Sequence, residues 1–250
     1  MERIKVKQLN PHVYLMDDAG ESTGYVVVGD KKALVIDTMN GHEDVKAVVR
    51  EITDLPITVV NTHGHCDHIF GNIFFEEAYL HPADLSLAEK HANFEDFVAE
   101  TKEKGLSMPP FREIRGGDVI DLGGLTVEVI DLPGHTAGSI LLLLKEDRIL
   151  FTGDAVNRHL WLQVDDSLLP EEALRALDKV MYLKEEADRI LHGHAKDFEP
   201  ISLLEELHEG LRELAEGHTE EDKDYSWFGG PAKQHPYGDG NSVVVYRAGK

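Results

Sequence analysis

The sequence predicts an α/β protein in which two β-rich halves pack together and carry helices on their outer faces. Over about residues 20 to 105, short β-branched segments typical of strands alternate with segments whose apolar residues recur at helical spacing. From about residue 125 onward, strand-like segments follow one another before the next helix begins at Pro170. Because strands and helices with one apolar face must bury that face against another element, this order favours layers around a common core.

The first half contains three predicted strands and two predicted helices. The segments STGYVVVGD and KKALVIDT are rich in β-branched residues and are joined by a turn at Gly29 and Asp30. An amphipathic helix is expected after Gly41, and the short apolar segment LPITVVNT is expected to be a strand covered by helices. One longer helix is expected over residues 83–105, ending at Gly105.

The second half contains five predicted strands and two predicted helices. LTVEVIDLPG alternates apolar and polar residues, and SILLLLKEDRILFTGD is expected to form a hairpin that turns near Glu146. A helix after Pro170, a short strand in ADRILHGH, a helix over about residues 200–215 and a last strand in NSVVVYR follow. We therefore predict a single domain over residues 1–250, in which residues 218–250 form a C-terminal loop and strand extension.

Composition and charge exclude several classes of protein. Hydrophobic residues make up 42% of the chain, enough for a substantial core. The net charge of -22 repels phosphate backbones and anionic lipids, so we expect neither nucleic-acid nor membrane partners. The chain has one cysteine, Cys66, and can form no internal disulfide. With neither a signal-peptide pattern nor an apolar run of about 20 residues, a cytoplasmic protein is expected.

Seven side chains that bind metals well in proteins follow the predicted strands. Four of them lie in the stretch NTHGHCDHIFGN after the strand LPITVVNT, and the other three follow three later strands. These candidate ligands are His63, His65, Asp67, His68, His135, Asp154 and His194. Because ligands of α/β sheets bind outside the carboxyl ends of the strands, we expect the seven side chains to meet at one edge.

Seven donors exceed the four that a tetrahedral zinc ion takes, so they suit two metal ions. We assign His63, His65 and His135 to the first ion. Asp67, His68 and His194 are assigned to the second ion, and Asp154 is expected to bridge the two. Imidazole and carboxylate ligands favour two divalent ions, Zn²⁺ first, with iron or manganese as alternatives.

This constellation resembles the metallo-β-lactamase superfamily of hydrolases. The matching segments are THGHCDH, LPGHTAGS, FTGD and HGH in that order, and LVIDT resembles the early strand of the family that ends in a structural aspartate, here Asp37. The resemblance covers about residues 20 to 200. It implies an αββα four-layer sandwich with two mixed sheets between outer helices, and it implies that Asp37 supports the ligands without binding metal.

The other polar residues near the motifs are interpreted as structural. Only His194 follows a glycine and matches the family position, so His192 is expected to be a strand-end or supporting group. Cys66 is expected to pack away from the site and to be inert, because reactivity requires exposure and a lowered pKa. The remaining histidines interpreted as capped or solvated include His12, His42, His91, His208 and His218.

Two aromatic regions leave alternatives open. His159 and Trp161 follow Asp154 and could line a pocket or belong to the core. The segment SWFGGPAKQHPYGDGN, within residues 225–241, is unusually aromatic for a solvated loop, with Trp227 and Phe228 among glycines. Because such loops often carry function, we expect a pocket wall or a contact between two copies of the chain in a homodimer.

The expected activity is hydrolysis of a small-molecule substrate by a hydroxide that bridges the two ions, oriented by Asp67 and Asp154 as catalytic residues. Asp154 stands where the best-known zinc β-lactamases use cysteine, and His65 stands where the flavin-partnered diiron reductases use glutamate. The stretch AVNRHLWLQVDD lacks the glycine–arginine-rich pattern of glyoxalase II, which argues against a glutathione thioester. A small ester, thioester or lactone is therefore the expected substrate.

Three alternatives remain open. The first is a metal-dependent phosphodiesterase. The second is an iron dioxygenase of the persulfide type, which would need one metal ion and would leave Asp67, His68 and His194 surplus. The third, from a different class, is a binding protein that kept the site and lost turnover. Metal content and a broad substrate panel distinguish these alternatives.

Overall fold

The structure is a computed structural model that describes residues 3–227 and 230–247. The strands are β1 (Ile4–Gln8), β2 (Val13–Asp18), β3 (Ser22–Val28), β4 (Ala33–Ile36), β5 (Ile57–Val60), β6 (Ala78–Leu80), β7 (Phe111–Glu113), β8 (Val119–Asp121), β9 (Thr126–Asp131), β10 (Ile140–Leu144), β11 (Ile149–Gly153), β12 (His159–Leu162), β13 (Arg189–His192), β14 (Glu199–Pro200), β15 (Lys223–Trp227), β16 (Gly230–Tyr237) and β17 (Ser242–Tyr246).

The helices alternate with these strands in the first half and cluster between strands in the second. They are α1 (Val45–Ile52), α2 (Cys66–Ile69), α3 (Leu85–Ala92), α4 (Glu95–Glu103), α5 (Pro170–Asp178), α6 (Leu183–Glu186) and α7 (Ser202–Glu216), with short 3-10 helices at Phe70–Phe74 and Pro82–Asp84. None of the helices in the described ranges combines the length and apolar character that a membrane span requires.

The first sheet has the strand order β1-β2-β3-β4-β5-β6-β7. Strands β1 to β4 pair antiparallel, whereas β4 to β7 pair parallel, so the sheet is mixed. Helix α1 covers its outer face, where Val45 and Val49 join Val35 and Val59 in one buried cluster. The apolar spacing that predicted α1 therefore reflects packing on this sheet.

The second sheet has the order β14-β13-β11-β10-β9-β8. Strands β11 and β13 pair parallel and the other neighbours pair antiparallel. Helices α5 and α7 cover its outer face, where Leu177 and Leu207 pack in one cluster with Leu141 and Leu143 of β10. This sheet is also mixed.

The two sheets pack face to face through alternate residues of their strands. Tyr25 of the first sheet lies with its ring centroid 5.2 Å from that of Phe151 of the second, and both side chains are buried. Leu15, Ile36 and Val129 belong to the same inner cluster. Helices therefore lie outside two mixed sheets, and the predicted αββα sandwich is confirmed.

A third, smaller sheet differs from the loop expected over residues 218–241. It has the order β12-β17-β16-β15, with β12 and β17 parallel and the other pairs antiparallel. Local periodicity did not indicate β15 and β16. These strands pair with each other, β16 also pairs with β17, and Tyr237 of β16 is buried against the α7 cluster. The distant strand β12 completes the sheet by pairing with β17. Phe228, grouped with Trp227 in the sequence analysis, lies outside the described residues.

The helix expected over residues 83–105 is two helices. Asn93 ends α3 by donating its side-chain amide to the Glu89 carbonyl at 2.8 Å, and Phe94 then adopts an extended backbone before α4 begins. The predicted end at Gly105 is confirmed, because the N–H groups of Gly105 and Leu106 close onto the carbonyls of Lys102 and Thr101. The apolar spacing of residues 83–105 does not show the break, although Asn is less favourable inside a helix than at its ends.

Replacement of Phe151 by alanine tests the inner core. The ring is fully buried between the sheets, so we expect the free energy of unfolding to fall by about 3–5 kcal/mol. Tyr182→Ala is the matched control, because Tyr182 is 55% exposed and its loss should change stability little. Urea unfolding followed by circular dichroism measures both, and equal stabilities of the two variants would contradict this packing.

Candidate metal centre

Four strand ends of the two sheets bring the seven predicted ligands to one edge of the sandwich. The motif stretch follows β5, and the other three ligands follow β9, β11 and β13. Their donor atoms form three groups, and within each group all donor atoms lie within 4.8 Å of one another. The first group is His63, His65 and His135, the second is Asp67, His68 and His194, and the third, which links these two, is His63, His68 and Asp154.

The first group is a triangle of imidazole nitrogens. His63 Nε2 lies 3.1 Å from His65 Nδ1, which in turn lies 2.9 Å from His135 Nε2. Nitrogens bound about 2.0–2.1 Å from one tetrahedral zinc stand about 3.3 Å apart. The triangle is therefore close to the size that one such ion requires.

The second group is an aspartate between two histidines. Asp67 Oδ2 lies 3.5 Å from His68 Nε2 and 3.8 Å from His194 Nε2. The Asp67 side chain is 31% exposed, whereas the His68 side chain is fully buried. One carboxylate oxygen and two imidazole nitrogens thus face a common point at the surface of the site.

Asp154 lies between the two groups. Its Oδ1 is 3.7 Å from His68 Nε2, and its Oδ2 is 3.1 Å from His194 Nε2 and 3.9 Å from His135 Nε2. A carboxylate that approaches histidines of both groups has the position that a bridging ligand needs.

Two buried atoms of the centre test whether metal fits these residues. His68 Nε2 and Asp154 Oδ1 are buried and have no hydrogen-bond partner among the described residues. A buried polar group without a partner costs about 1–3 kcal/mol. A cation at this position would satisfy both lone pairs, so the residues present fit a metal ion.

Asp37 supports the centre from behind, as the family resemblance implied. It follows β4 with a left-handed backbone at φ 58°, and its carboxylate is buried. The carboxylate accepts from the Thr62 N–H at 2.7 Å and the Thr62 hydroxyl at 2.8 Å, and it contacts His68 Nδ1 at 2.9 Å. Thr62 Oγ1 also lies 3.0 Å from His63 Nδ1, so one carboxylate orients two of the candidate ligands.

Backbone carbonyls orient two further ligands. His135 Nδ1 lies 2.8 Å from the Trp161 carbonyl, and His194 Nδ1 lies 2.8 Å from the Glu21 carbonyl. Because a carbonyl can only accept, each Nδ1 carries the proton and each Nε2 presents a lone pair inward. His65 is turned the other way, with Nδ1 inward and Nε2 3.7 Å from Asp166 Oδ2.

Glycine is required where the last strand meets the centre. A Cβ atom on Gly193 would lie 2.3 Å from Asp154 Oδ1 and 2.6 Å from His68 Cε1. Any larger residue would displace both side chains. Gly193 therefore allows the backbone to approach Asp154 and His68 closely, in the turn that precedes His194.

The protonation states of three candidate ligands match those that metal binding requires. Burial lowers the pKa of His63 well below its usual value and lowers that of His135 to about 4, so both rings are neutral at pH 7. Burial alone would raise the pKa of Asp154, but the neighbouring His194 and His68 hold it well below its usual range. Neutral imidazole and ionised carboxylate are the forms that bind metal. His68 differs, because burial alone would lower its pKa but Asp67, Asp37 and Asp154 raise it well above the usual value, so a metal ion would displace its proton.

Asp84 is a supporting residue that the sequence analysis missed. Its buried carboxylate accepts from the Gly64 N–H at 2.9 Å, the Thr136 hydroxyl at 2.7 Å and the Gly138 N–H at 2.7 Å. It thereby ties the motif loop after β5 to the loop that carries His135. No sequence signal marks it, because it lies outside the motifs and is brought in by the chain between β6 and α3.

Three residues near the ligands differ in role from the ligands. His192 is buried, and its Nδ1 accepts from the His194 N–H at 3.2 Å, which is the supporting role expected. Cys66 was expected to pack away from the site, but it lines the cavity beside the centre. Burial raises the pKa of its thiol to about 11, so the thiol is protonated at neutral pH. His91, interpreted as capped or solvated, is buried, and its Nδ1 lies 3.2 Å from the Gly64 carbonyl.

A cavity of about 310 Å³ opens beside the centre. Asp67 and Asp154 lie at its floor, and Phe94, Trp161 and Val164 are among its apolar residues. Of the two aromatic residues left open by the sequence, Trp161 lines this cavity. His159 packs edge-on against Trp161, with ring centroids 5.5 Å apart.

Replacement of Asp84 by alanine tests its supporting role. The change leaves three donors of two loops without their acceptor, so we expect zinc affinity to fall about 10–100-fold. Competition with a chromophoric chelator measures this affinity. The control is Asp121→Ala, a change at the distant strand β8, and loss of affinity equal in both variants would show that Asp84 has no specific role.

Comparison with known proteins identifies the family. The family model of the metallo-beta-lactamase superfamily matches residues 17–194. The chain is 31% identical over 157 residues to the acyl-coenzyme A thioesterase MBLAC2 of Gallus gallus, covering 53% of this chain and 56% of that protein. It is 32% identical over 145 residues to the hydroxyacylglutathione hydrolase of Hyphomonas neptunium, covering 54% of this chain and 48% of that protein. The chain thus spans about half the length of these curated relatives.

Solved structures show the same fold at lower identity. A metallo-beta-lactamase from Pontibacter korlensis superposes with a TM-score of 0.58 at 20% identity, covering 84% of this chain and 99% of that chain. The DIM-1 metallo-beta-lactamase superposes with a TM-score of 0.63 at 19% identity, covering 86% of this chain and 99% of that chain. Because the family match extends over more than half of the chain and includes all seven candidate ligands, the chain belongs to the metallo-beta-lactamase superfamily.

Proposed function

We propose that this chain is a binuclear metal-dependent hydrolase that cleaves thioesters. The observation that carries the proposal is Asp154, whose carboxylate lies between two groups of metal-binding side chains at the floor of a cavity. Both curated relatives named above are described as enzymes that act on thioesters of acyl groups. Thioesters are therefore favoured within the range of esters, thioesters and lactones that the sequence predicts.

The second group of donors supports two ions over one. A mononuclear site, as an iron dioxygenase would use, needs the triangle of His63, His65 and His135 alone. Asp67, His68 and His194 would then lie together without a function. The unpartnered His68 Nε2 belongs to this second group and is best explained by a second ion.

The cations would be held by the imidazoles and carboxylates already described. Two bound divalent ions would act as Lewis acids on the carbonyl oxygen and would lower the pKa of a bound water to about 7, with zinc favoured by the ligand set. The chain supplies the position of the donors, the ionised carboxylates and a cavity that admits the acyl group.

Asp67 is placed to orient the attacking water. It is the more exposed of the two carboxylates, at 31% against 7% for Asp154, and it faces the cavity. Burial alone would raise the pKa of Asp67, but His68 holds it below its usual range, so its oxygens accept hydrogen bonds at neutral pH. Cys66 is protonated, which leaves water as the nucleophile.

The leaving group of a thioester suits this set of residues. A thiol has a pKa of about 8.5, so a thiolate can leave without a strong proton donor. Amide or lactam cleavage would instead require a proton at the departing nitrogen. The carboxylates of the centre are held ionised and cannot act as strong acids at neutral pH.

A substrate panel tests the proposal. We expect purified, zinc-loaded protein to hydrolyse acetyl N-acetylcysteamine with a higher kcat/KM than an acetate ester, a lactone or bis(p-nitrophenyl) phosphate. Release of thiol is followed with a chromogenic thiol reagent. Preferred cleavage of the phosphodiester would contradict the proposal, and so would a protein that binds zinc and hydrolyses none of these compounds.

Replacement of Asp154 by alanine tests the bridge between the ions. Loss of this carboxylate should lower the metal content, because both ions lose a ligand. Mutation of a residue that only supports a metal ligand typically lowers activity about 10–100-fold, so we expect kcat/KM to fall more than about 100-fold here. Metal content by mass spectrometry and the thioester assay measure the two effects.

The matched control for the Asp154 variant is Cys66→Ser, at a neighbouring position that holds a neutral thiol. This variant should keep its metal and most of its activity. An Asp154→Ala protein with full activity would overturn the bridging role, and a metal-loaded but inactive Cys66→Ser protein would overturn water as the nucleophile.

A further inference from the structure

The third sheet places aromatic side chains beside the metal centre. Trp161 of β12 lines the cavity, and its ring centroid lies 4.8 Å from that of Trp227 of β15. Tyr225 of the same strand lies 5.7 Å from His159 by ring centroids. We call Trp161 and Trp227 together the aromatic wall. These are the two tryptophans of the sequence.

The aromatic wall is connected directly to the ligands. The carbonyl of Trp161 is the acceptor for His135 Nδ1 at 2.8 Å, so the wall begins at the first group of donors. From there it extends outward to Trp227, which is 62% exposed. An exposed tryptophan that continues a cavity lining is the kind of apolar surface that marks a binding site.

The cavity presents a further aromatic residue from another part of the chain. Phe94 also lines it and is 41% exposed. The break between α3 and α4 holds this residue in an extended backbone, and its ring lies 4.8 Å from the ring of His91. In a continuous helix Phe94 would have a helical backbone and its side chain would point in another direction. The break between α3 and α4 therefore helps to place Phe94 at the cavity.

Apart from Asp67 and Asp154 of the metal centre, the acidic and basic residues of the cavity lie in pairs of opposite charge. Arg247 contacts Asp165 at 2.7 Å, and Lys90 lies 3.8 Å from Asp166. Cys66 also lines the cavity, and its thiol is neutral because burial raises its pKa. The surface left for a ligand is therefore mainly apolar, which favours an uncharged chain over a charged group.

We propose that the aromatic wall and Phe94 bind the acyl chain of the substrate and select for apolar acyl groups; this inference rests on the proposed thioesterase function. In biological thioesters the thiol carrier is rich in amides and charges, so the apolar part that fits this surface is the acyl chain. The carrier thiol then points away from the wall toward solvent.

One of the two residues of the aromatic wall lies outside the family match, whereas Trp161 lies within it. Strand β15, which carries Trp227, lies beyond residues 17–194 that the family model matches. The candidate ligands all lie within that match. Selectivity for the acyl group can therefore differ between relatives that share the metal centre.

A chain-length series tests the inference with the zinc-loaded full chain. The substrates are acetyl, butanoyl, hexanoyl, octanoyl and decanoyl N-acetylcysteamine. Each methylene that becomes buried should raise kcat/KM by about two- to fourfold, fourfold corresponding to about 0.8 kcal/mol for full burial. A flat or falling series with measurable acetyl hydrolysis would overturn the acyl site and would leave the thioesterase proposal standing.

Trp227→Ala identifies the wall as the cause of the chain-length effect. Because this side chain is 62% exposed, its removal should leave the fold intact. We expect the ratio of kcat/KM for octanoyl over acetyl substrate to fall about tenfold. Tyr182→Ala removes another aromatic side chain, 55% exposed and outside the cavity, and should keep the wild-type ratio. An unchanged ratio in Trp227→Ala would overturn the assignment.

A binding measurement separates this inference from the proposed reaction. S-octyl N-acetylcysteamine is a thioether that cannot be hydrolysed, and both tryptophans report on its binding through their fluorescence. We expect a saturable change in wild type, weakened about tenfold in Trp227→Ala and preserved in Tyr182→Ala. Binding without hydrolysis of any thioester would support the apolar site and refute the thioesterase; no change in wild type would refute the apolar site.

Discussion

A buried carboxylate between two clusters of histidines is the feature on which the rest of this structure depends. Asp154 is enclosed by His68, His135 and His194, and one of its oxygens has no hydrogen-bond partner within the described residues. An ionised group buried in this way is costly unless positive charge compensates it. His135 and His63 are neutral. Burial alone would lower the pKa values of His68 and His194, but the surrounding carboxylates raise them, so these two rings can supply part of the charge. Divalent cations bound here would supply the rest, and the proposed chemistry depends on them.

The fold supplies the precision that such a site requires. Four strand ends converge at one edge of the sandwich, and the backbone there is tied down by two carboxylates that bind no metal in this account. Asp37 orients His68 directly and His63 through Thr62, while Asp84 joins the motif loop to the loop of His135. Because both carboxylates are buried, their geometry is set by the core and not by solvent.

Much of this arrangement could be predicted from the sequence, because its signals are local. A strand followed by a glycine and a histidine or aspartate identifies the edge ligands, and the alternation around Val127 and Val129 identifies the inner faces. What could not be predicted depends on contacts between distant segments. Asp84 carries no motif, and the third sheet depends on the pairing of β12 with the distant β17. The break at Asn93 is local, but apolar spacing does not show it. Strands β1 and β2 were missed as well, although Val13 and Leu15 are core residues.

The most direct test of the central claim is a crystal structure of the zinc-loaded protein with anomalous data collected at the zinc edge. We expect two zinc ions about 3.5–4 Å apart. The oxygens of Asp154 should bind both ions at about 2.0–2.2 Å. A single ion held by His63, His65 and His135, or two ions of which only one contacts Asp154, would contradict it.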